Sequence, residues 1–158
     1  MNYNEIIDYS SLSTYIDCPR KFLFNYIMHF RPKRKSIHLV FGSAWHYGLE
    51  VVYKRLQHDP DSLTIIDATE LSIVSFNNLW KIESDGKFPD EDIIFPKSPG
   101  HAANMYHEYW SQYLDSDQQE KKIISVESPF NINLGKFHLS LPDYIGRTDL
   151  ILEKENGS

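Results

Sequence analysis

Tyr144-Ile145-Gly146-Arg147-Thr148-Asp149-Leu150-Ile151-Leu152 is a strand-length run of β-branched, aromatic and aliphatic residues that carries an aspartate near its middle. Apolar neighbours on both sides predict a carboxylate inside a sheet, where a charged group is costly unless it is paired, hydrogen-bonded or bound to a cation. Gly146 lets a ligand or another backbone approach the strand. Cation binding is one way to meet the demand of Asp149; from the residues alone, a structural hydrogen bond with Arg147 or with a backbone amide is the default. Beyond the strand, Asn156-Gly157 is the dipeptide of a tight hairpin turn. No returning strand follows in the sequence, so the last strand is expected to offer an open edge that invites self-association or poor order over residues 151–158.

Working back from that strand, Ile123–Glu127, Phe130–Leu134 and Phe137–Leu141 read as three more short strands, with a turn at Gly135-Lys136. Upstream the period changes to that of helices. Val40, Phe41, Ala44, Trp45, Gly48, Leu49, Val52, Tyr53 and Leu56 form one apolar stripe, predicting a helix from about His38 to Gln57. Three further helices are expected over Pro19–Phe30, Leu63–Glu83 and Gly100–Leu114. The hydroxyls of Tyr9–Tyr15 read as caps for the first of them, and the proline-containing stretch from Ser84 to Pro99 reads as a loop. A helical first part, residues 1–119, followed by strands over 120–158 predicts one α/β domain with an incomplete sheet.

Composition narrows the classes. The chain has 158 residues, 41% hydrophobic and 24% charged, as in globular domains, and its ten tyrosines and nine phenylalanines predict a core rich in rings. No apolar run is long enough to span a membrane and no signal peptide opens the chain, so a cytoplasmic protein with no membrane partner is expected. One cysteine rules out an internal disulfide and any four-cysteine site built from this chain alone. A net charge of −6 argues against a surface that coats nucleic acid indiscriminately. It leaves room for a cleft of carboxylates with a basic rim.

Three polar groups stand out: His46 beside the apolar helix stripe, Glu127 at a strand end and Asp149. An imidazole with carboxylates suits a divalent cation, magnesium or manganese where oxygen predominates. The plain alternatives are a boundary histidine, a solvated glutamate and a structural aspartate. Glu50, one turn after His46, is expected to hydrogen-bond or face solvent. Tyr106, Tyr109, Trp110 and Tyr113 would suit base stacking, but their helical spacing favours core packing.

Ser11-Leu12-Ser13-Thr14-Tyr15-Ile16-Asp17-Cys18-Pro19-Arg20-Lys21-Phe22 and Phe41-Gly42-Ser43-Ala44-Trp45-His46-Tyr47-Gly48-Leu49-Glu50, followed in order by Ser125-Val126-Glu127-Ser128-Pro129-Phe130 and Ile145–Ile151, resemble the PD-(D/E)XK nuclease superfamily. More narrowly the chain is similar to RecB and AddB nuclease domains and to CRISPR-adaptation exonucleases. The resemblance implies the N-terminal part of a restriction-endonuclease-like domain, a mixed sheet flanked by helices, that hydrolyses DNA with magnesium or manganese. It makes His46 and Asp149 metal ligands and Glu127 a further glutamate near the cleft, and it suggests a helicase or repair partner. The acidic residue and lysine of the family's next strand have no counterpart here, so the alternative is a nuclease-fold module that binds DNA or a partner without cutting. Cys18 sits where iron-sulfur members place one of four cluster cysteines, a cluster this chain alone cannot complete; a small buried residue ahead of a helix is the plainer expectation. Arg20, Lys21, Arg31, Lys33, Arg34 and Lys35 become candidate phosphate contacts in that context.

Overall fold

The computed structural model describes residues 6–33, 35–84, 95–119, 121–137 and 142–154. The elements are β1 (Ile6–Ile7), α1 (Tyr9–Asp17), α2 (Pro19–Phe22) running into a π-helical turn (Leu23–Ile27), α3 (Ile37–His58), α4 (Ile65–Glu83), α5 (Pro99–Gln119), β2 (Lys121–Ile132), a 3-10 turn (Leu134–Lys136) and β3 (Asp143–Lys154). The sheet order is β1-β3-β2. β1 pairs parallel to β3 through Ile6 with Asp143 and Ile7 with Tyr144, and β2 runs antiparallel to β3. This is the expected α/β class, with a mixed sheet that does not close. Two compact units share the chain: Met1–Lys33 with Glu127–Thr148, and Arg34–Val126 with Asp149–Ser158.

The second unit is built on α3, α4 and α5. Val40, Ala44, Gly48, Val52 and Leu56 recur one turn apart and are buried along α3. Ala68, Ser72, Phe76 and Trp80 do the same on α4, and Ala102, Tyr106, Trp110 and Leu114 on α5. α4 begins with a capping box: the Asp67 N–H donates to Thr64 Oγ1 at 3.2 Å, and the Thr64 N–H donates to Asp67 Oδ2 at 3.0 Å. α5 begins at Pro99, a residue suited to a first turn, and Ser98 Oγ accepts the His101 N–H at 3.3 Å. Rings fill the space between the helices. Phe76 stacks on Trp80 at 5.6 Å, Phe41 meets both edge-on, and Trp45 stacks on Tyr106 at 4.1 Å. Ile123, Val126 and Leu150 pack their partly buried side chains on this core.

Buried polar groups tie the three helices at one level. The Trp110 indole N–H donates to Ser72 Oγ at 2.9 Å, and that hydroxyl donates to the Gly48 carbonyl at 3.4 Å. The Tyr106 hydroxyl donates to the Trp45 carbonyl at 2.9 Å. Burial pushes the Tyr106 phenol far above its ordinary range. One turn further along α3, the Tyr53 hydroxyl donates to buried Asp117 at 2.7 Å and lies 2.8 Å from the Tyr109 hydroxyl. Since Tyr53 has a single proton and gives it to the carboxylate, Tyr109 is the donor of that second bond.

The first unit holds α1, α2, the π-helical turn and residues 127–148. Asp8 caps α1, accepting the Ser11 N–H at 2.7 Å, while Ser11 Oγ accepts the Asp8 N–H at 3.1 Å. The hydroxyl-rich segment expected to cap a later helix is therefore a helix itself. The helix expected over Pro19–Phe30 changes winding at Leu23 and ends at Ile27. The two strands expected at 123–127 and 130–134 are one strand, β2: Ser128-Pro129 stays within it because an edge strand tolerates a missing donor. Leu134 turns into the 3-10 segment; of the strand expected at Phe137–Leu141, Phe137 is a turn residue and 138–141 lie outside the described residues. Asn156-Gly157 lies outside them too. Along β3, Gly146 admits the Phe130 ring rather than a ligand, since a Cβ there would stand 2.4 Å from Phe130 Cζ.

Gly48 is a point of close approach between α3 and its neighbours. A Cβ on it would stand 2.2 Å from the Tyr106 hydroxyl oxygen and 2.9 Å from the Ser72 carbonyl oxygen. Gly48→Ala is expected to destabilise the chain by about 3 kcal/mol, at the upper end of overpacking costs. Adding Tyr106→Phe removes the nearest clashing atom, so the double variant should unfold in urea at a higher midpoint than the sum of the single losses implies.

Candidate active site

His46 lies in the middle of α3. Helical geometry turns it about 200° away from Ala44, and Ala44 is fully buried, so the imidazole is exposed. Glu50, one turn on, forms an ion pair with Lys54. That engagement agrees with a hydrogen-bonding role.

Asp149 is also exposed. Strand alternation explains it: Leu150 packs against the helical core, so its neighbours Asp149 and Ile151 point the other way. The burial expected from the apolar neighbours is thereby corrected, and with it the need for an internal partner. Arg147, the partner considered for Asp149, is engaged with Glu127 instead, Nη1 to Oε2 at 3.2 Å. His46 and Asp149 belong to the same compact unit, and among the described residues no hydrogen bond or ion pair joins them. Glu127 and Arg147 belong to the other unit.

Glu127 has an unusual backbone. Its φ is 53°, the left-handed region that a residue with a Cβ enters at a cost of about 1–3 kcal/mol. It does so inside β2, two residues before Pro129. The carboxylate is largely covered, with 16% of the side chain accessible, whereas Arg147 is 65% accessible. An exposed guanidinium contributes little to stability, so the ion pair does not offset the strain. Nothing in the sequence marks this conformation. The even spacing of Arg147 and Asp149 places both on one row of the strand, side by side rather than paired.

Cys18 is exposed, at the break between α1 and α2, rather than buried as expected. Its N–H donates to the Thr14 carbonyl at 2.9 Å and its own carbonyl accepts the Phe22 N–H at 3.1 Å, so its position closes one helix and opens the next. Arg20, Lys21, Arg31 and Lys33 are exposed, Lys35 is paired with Glu83, and Arg34 lies outside the described residues. Tyr106 and Trp110 are core residues and Tyr109 packs partly buried against them, as their spacing implied, whereas Tyr113 is exposed rather than packed in the core.

A family model for the PD-(D/E)XK nuclease superfamily matches residues 8–158. The chain belongs to the PD-(D/E)XK nuclease superfamily. No curated protein and no solved structure matches it. Membership implies metal-dependent nuclease chemistry on DNA. Among the described residues, no three side chains of His, Cys, Asp or Glu come together as a cation site. His46 and Asp149 would supply two of the six ligands of a magnesium-sized cation, a set that water and substrate phosphate ordinarily complete.

The strain at residue 127 can be measured directly. Glu127→Ala and Glu127→Gly both delete the carboxylate and differ only in the Cβ. At a φ of 53° the glycine variant should be more stable than the alanine variant by about 1 kcal/mol in chemical denaturation. An extended residue would give the reverse order.

Proposed function

We propose that this chain forms the nuclease part of a metal-dependent deoxyribonuclease of the RecB and AddB type that degrades DNA from an end. His46 and Asp149 supply two ligands for magnesium or manganese, and Glu127 is a further carboxylate needed for activity. The observation that carries the proposal is the order of four landmarks within the matched span, at Ser11–Phe22, Phe41–Glu50, Ser125–Phe130 and Ile145–Ile151. Two structural features support it. A 22-residue helix packed on two others and a 12-residue strand are rigid mounts of the kind a positioned cation requires. Both side chains are open to solvent, so a phosphodiester can reach them.

The absence of a three-donor cluster among the described residues favours one second reading, a nuclease-fold module that holds DNA or a helicase-type partner without cutting. Degradation of end-labelled linear DNA, single- and double-stranded, separates the two. The assay belongs on the 158-residue chain and on any longer natural chain that contains it. The nuclease reading expects magnesium- or manganese-dependent shortening from the ends. His46→Ala and Asp149→Ala should each lower the rate by about two orders of magnitude or more. Both positions are exposed, so the substitutions should leave stability within about 0.5 kcal/mol. DNA retained without cleavage, in every form tested, overturns the nuclease reading in favour of the module.

A further inference from the structure

The first unit carries a surface of rings and cations that metal binding does not use. Between Asp17 and Glu50 the sequence holds no aspartate or glutamate, in a chain whose net charge is −6. α2 and the π-helical turn fall within this stretch, and π-helical segments concentrate at functional sites. Their side chains form two ladders. In one, the Arg20 guanidinium lies 5.7 Å over the Phe24 ring, and Phe24 stacks on Phe30 at 5.9 Å and 14°. In the other, the Arg31 guanidinium lies 5.7 Å over Tyr26, which stacks on Phe22 at 5.3 Å, and Phe22 meets Tyr15 edge-on at 5.4 Å. Each ladder begins on a guanidinium and ends on an open ring, since Phe30 is 58% and Tyr15 53% exposed.

An arginine seated on a ring face is oriented by cation–π attraction and keeps its N–H donors for a phosphate. Rings that stand in water at the far ends have π-faces free to take a planar group. The ligand whose chemistry supplies both, phosphates along one edge and unpaired planar bases along the other, is a single-stranded nucleic acid. A duplex offers the phosphates but keeps its bases stacked on one another. We propose that the two ladders dock single-stranded DNA, with bases stacking on Phe30 and Tyr15 and with Arg20 and Arg31 holding phosphates. The choice of DNA rests on the nuclease reading; the binding itself does not require cleavage.

Fluorescence anisotropy of a labelled oligothymidylate in EDTA tests this on the 158-residue chain, with divalent cations removed so that cleavage plays no part. The unsubstituted chain should bind the oligonucleotide and bind a duplex of equal length less tightly. Tyr15→Ala with Phe30→Ala should weaken binding about tenfold or more while leaving its salt dependence unchanged. Arg20→Gln with Arg31→Gln should instead lower the slope of log Kd against log salt by about 1.4, roughly 0.7 for each lost cation. Tyr15→Leu with Phe30→Leu keeps the apolar bulk and removes the π-faces, and serves the same purpose if the alanine pair does not fold. The proposal is overturned if the unsubstituted chain fails to bind the oligonucleotide, if both substituted pairs bind as it does, or if duplex binds as tightly. It is likewise overturned if anionic phospholipid vesicles displace the oligonucleotide from these residues, which would make the surface a membrane contact. Binding in EDTA by a chain that never cleaves would support the ladders while the nuclease reading fails. Cleavage with unaltered binding by the variants would do the opposite.

Discussion

The closeness with which α3 passes its two neighbours at Gly48 governs the helical unit. At that point the α3 backbone meets the Tyr106 hydroxyl and the Ser72 backbone directly, with no room for even a methyl group. The hydrogen bonds that run from Trp110 to Ser72 and on to Gly48, and from Tyr106 to Trp45, exist only because the helices are this near. Buried polar groups of this kind are costly when unpaired, so they penalise any rotation of α3 about its axis. The stacked Trp45 and Tyr106 rings enforce the same phase through packing.

Fixing that phase fixes the candidate site. With Val40, Ala44, Gly48 and Val52 facing inward, His46 has no choice but to face out. β3 obeys a parallel rule with a different period: Leu150 on the core sends Asp149 outward. The exposure of both candidate ligands is thus dictated by their buried neighbours. Neither needs an internal partner to satisfy a buried charge, and each is left available to something from outside. Glu127 differs, since it is largely covered and strained at once. Strain of this kind is retained where surrounding structure or function demands it.

Much of the architecture was legible because it is local. The apolar stripe of α3 gives both its ends to within a residue, and α4 ends at Glu83 as expected but starts at Ile65, two residues after Leu63, because Thr64 is its cap. α5 runs five residues beyond its expected end at Leu114. The reason is long-range: Asp117, a residue no hydropathy pattern would retain in a core, is held there by Tyr53 on another helix. α1 was obscured because its serines and threonine read as caps, when the capping residue is Asp8 just ahead of them. Ser128-Pro129 suggests a break in β2 only if the strand is interior, and strand order is not written locally. Asp149 differs from its expected burial because apolar neighbours on both sides hide the alternation that turns Leu150 inward and Asp149 outward. Cys18 was misjudged from residue type alone, when its place at a helix junction leaves it in solvent. The four landmarks that mark the family needed no three-dimensional information at all.

His46 and Asp149 lie in one unit and both are exposed, and the proposed nuclease function requires them to share one divalent cation. Paramagnetic broadening by substoichiometric manganese, followed by NMR at the His46 imidazole and the Asp149 carboxyl of the intact chain, measures that assignment without recourse to DNA. The two signals should broaden together, and replacing either residue with alanine should abolish the effect at the other. Broadening of one without the other, or of neither, would contradict the shared cation.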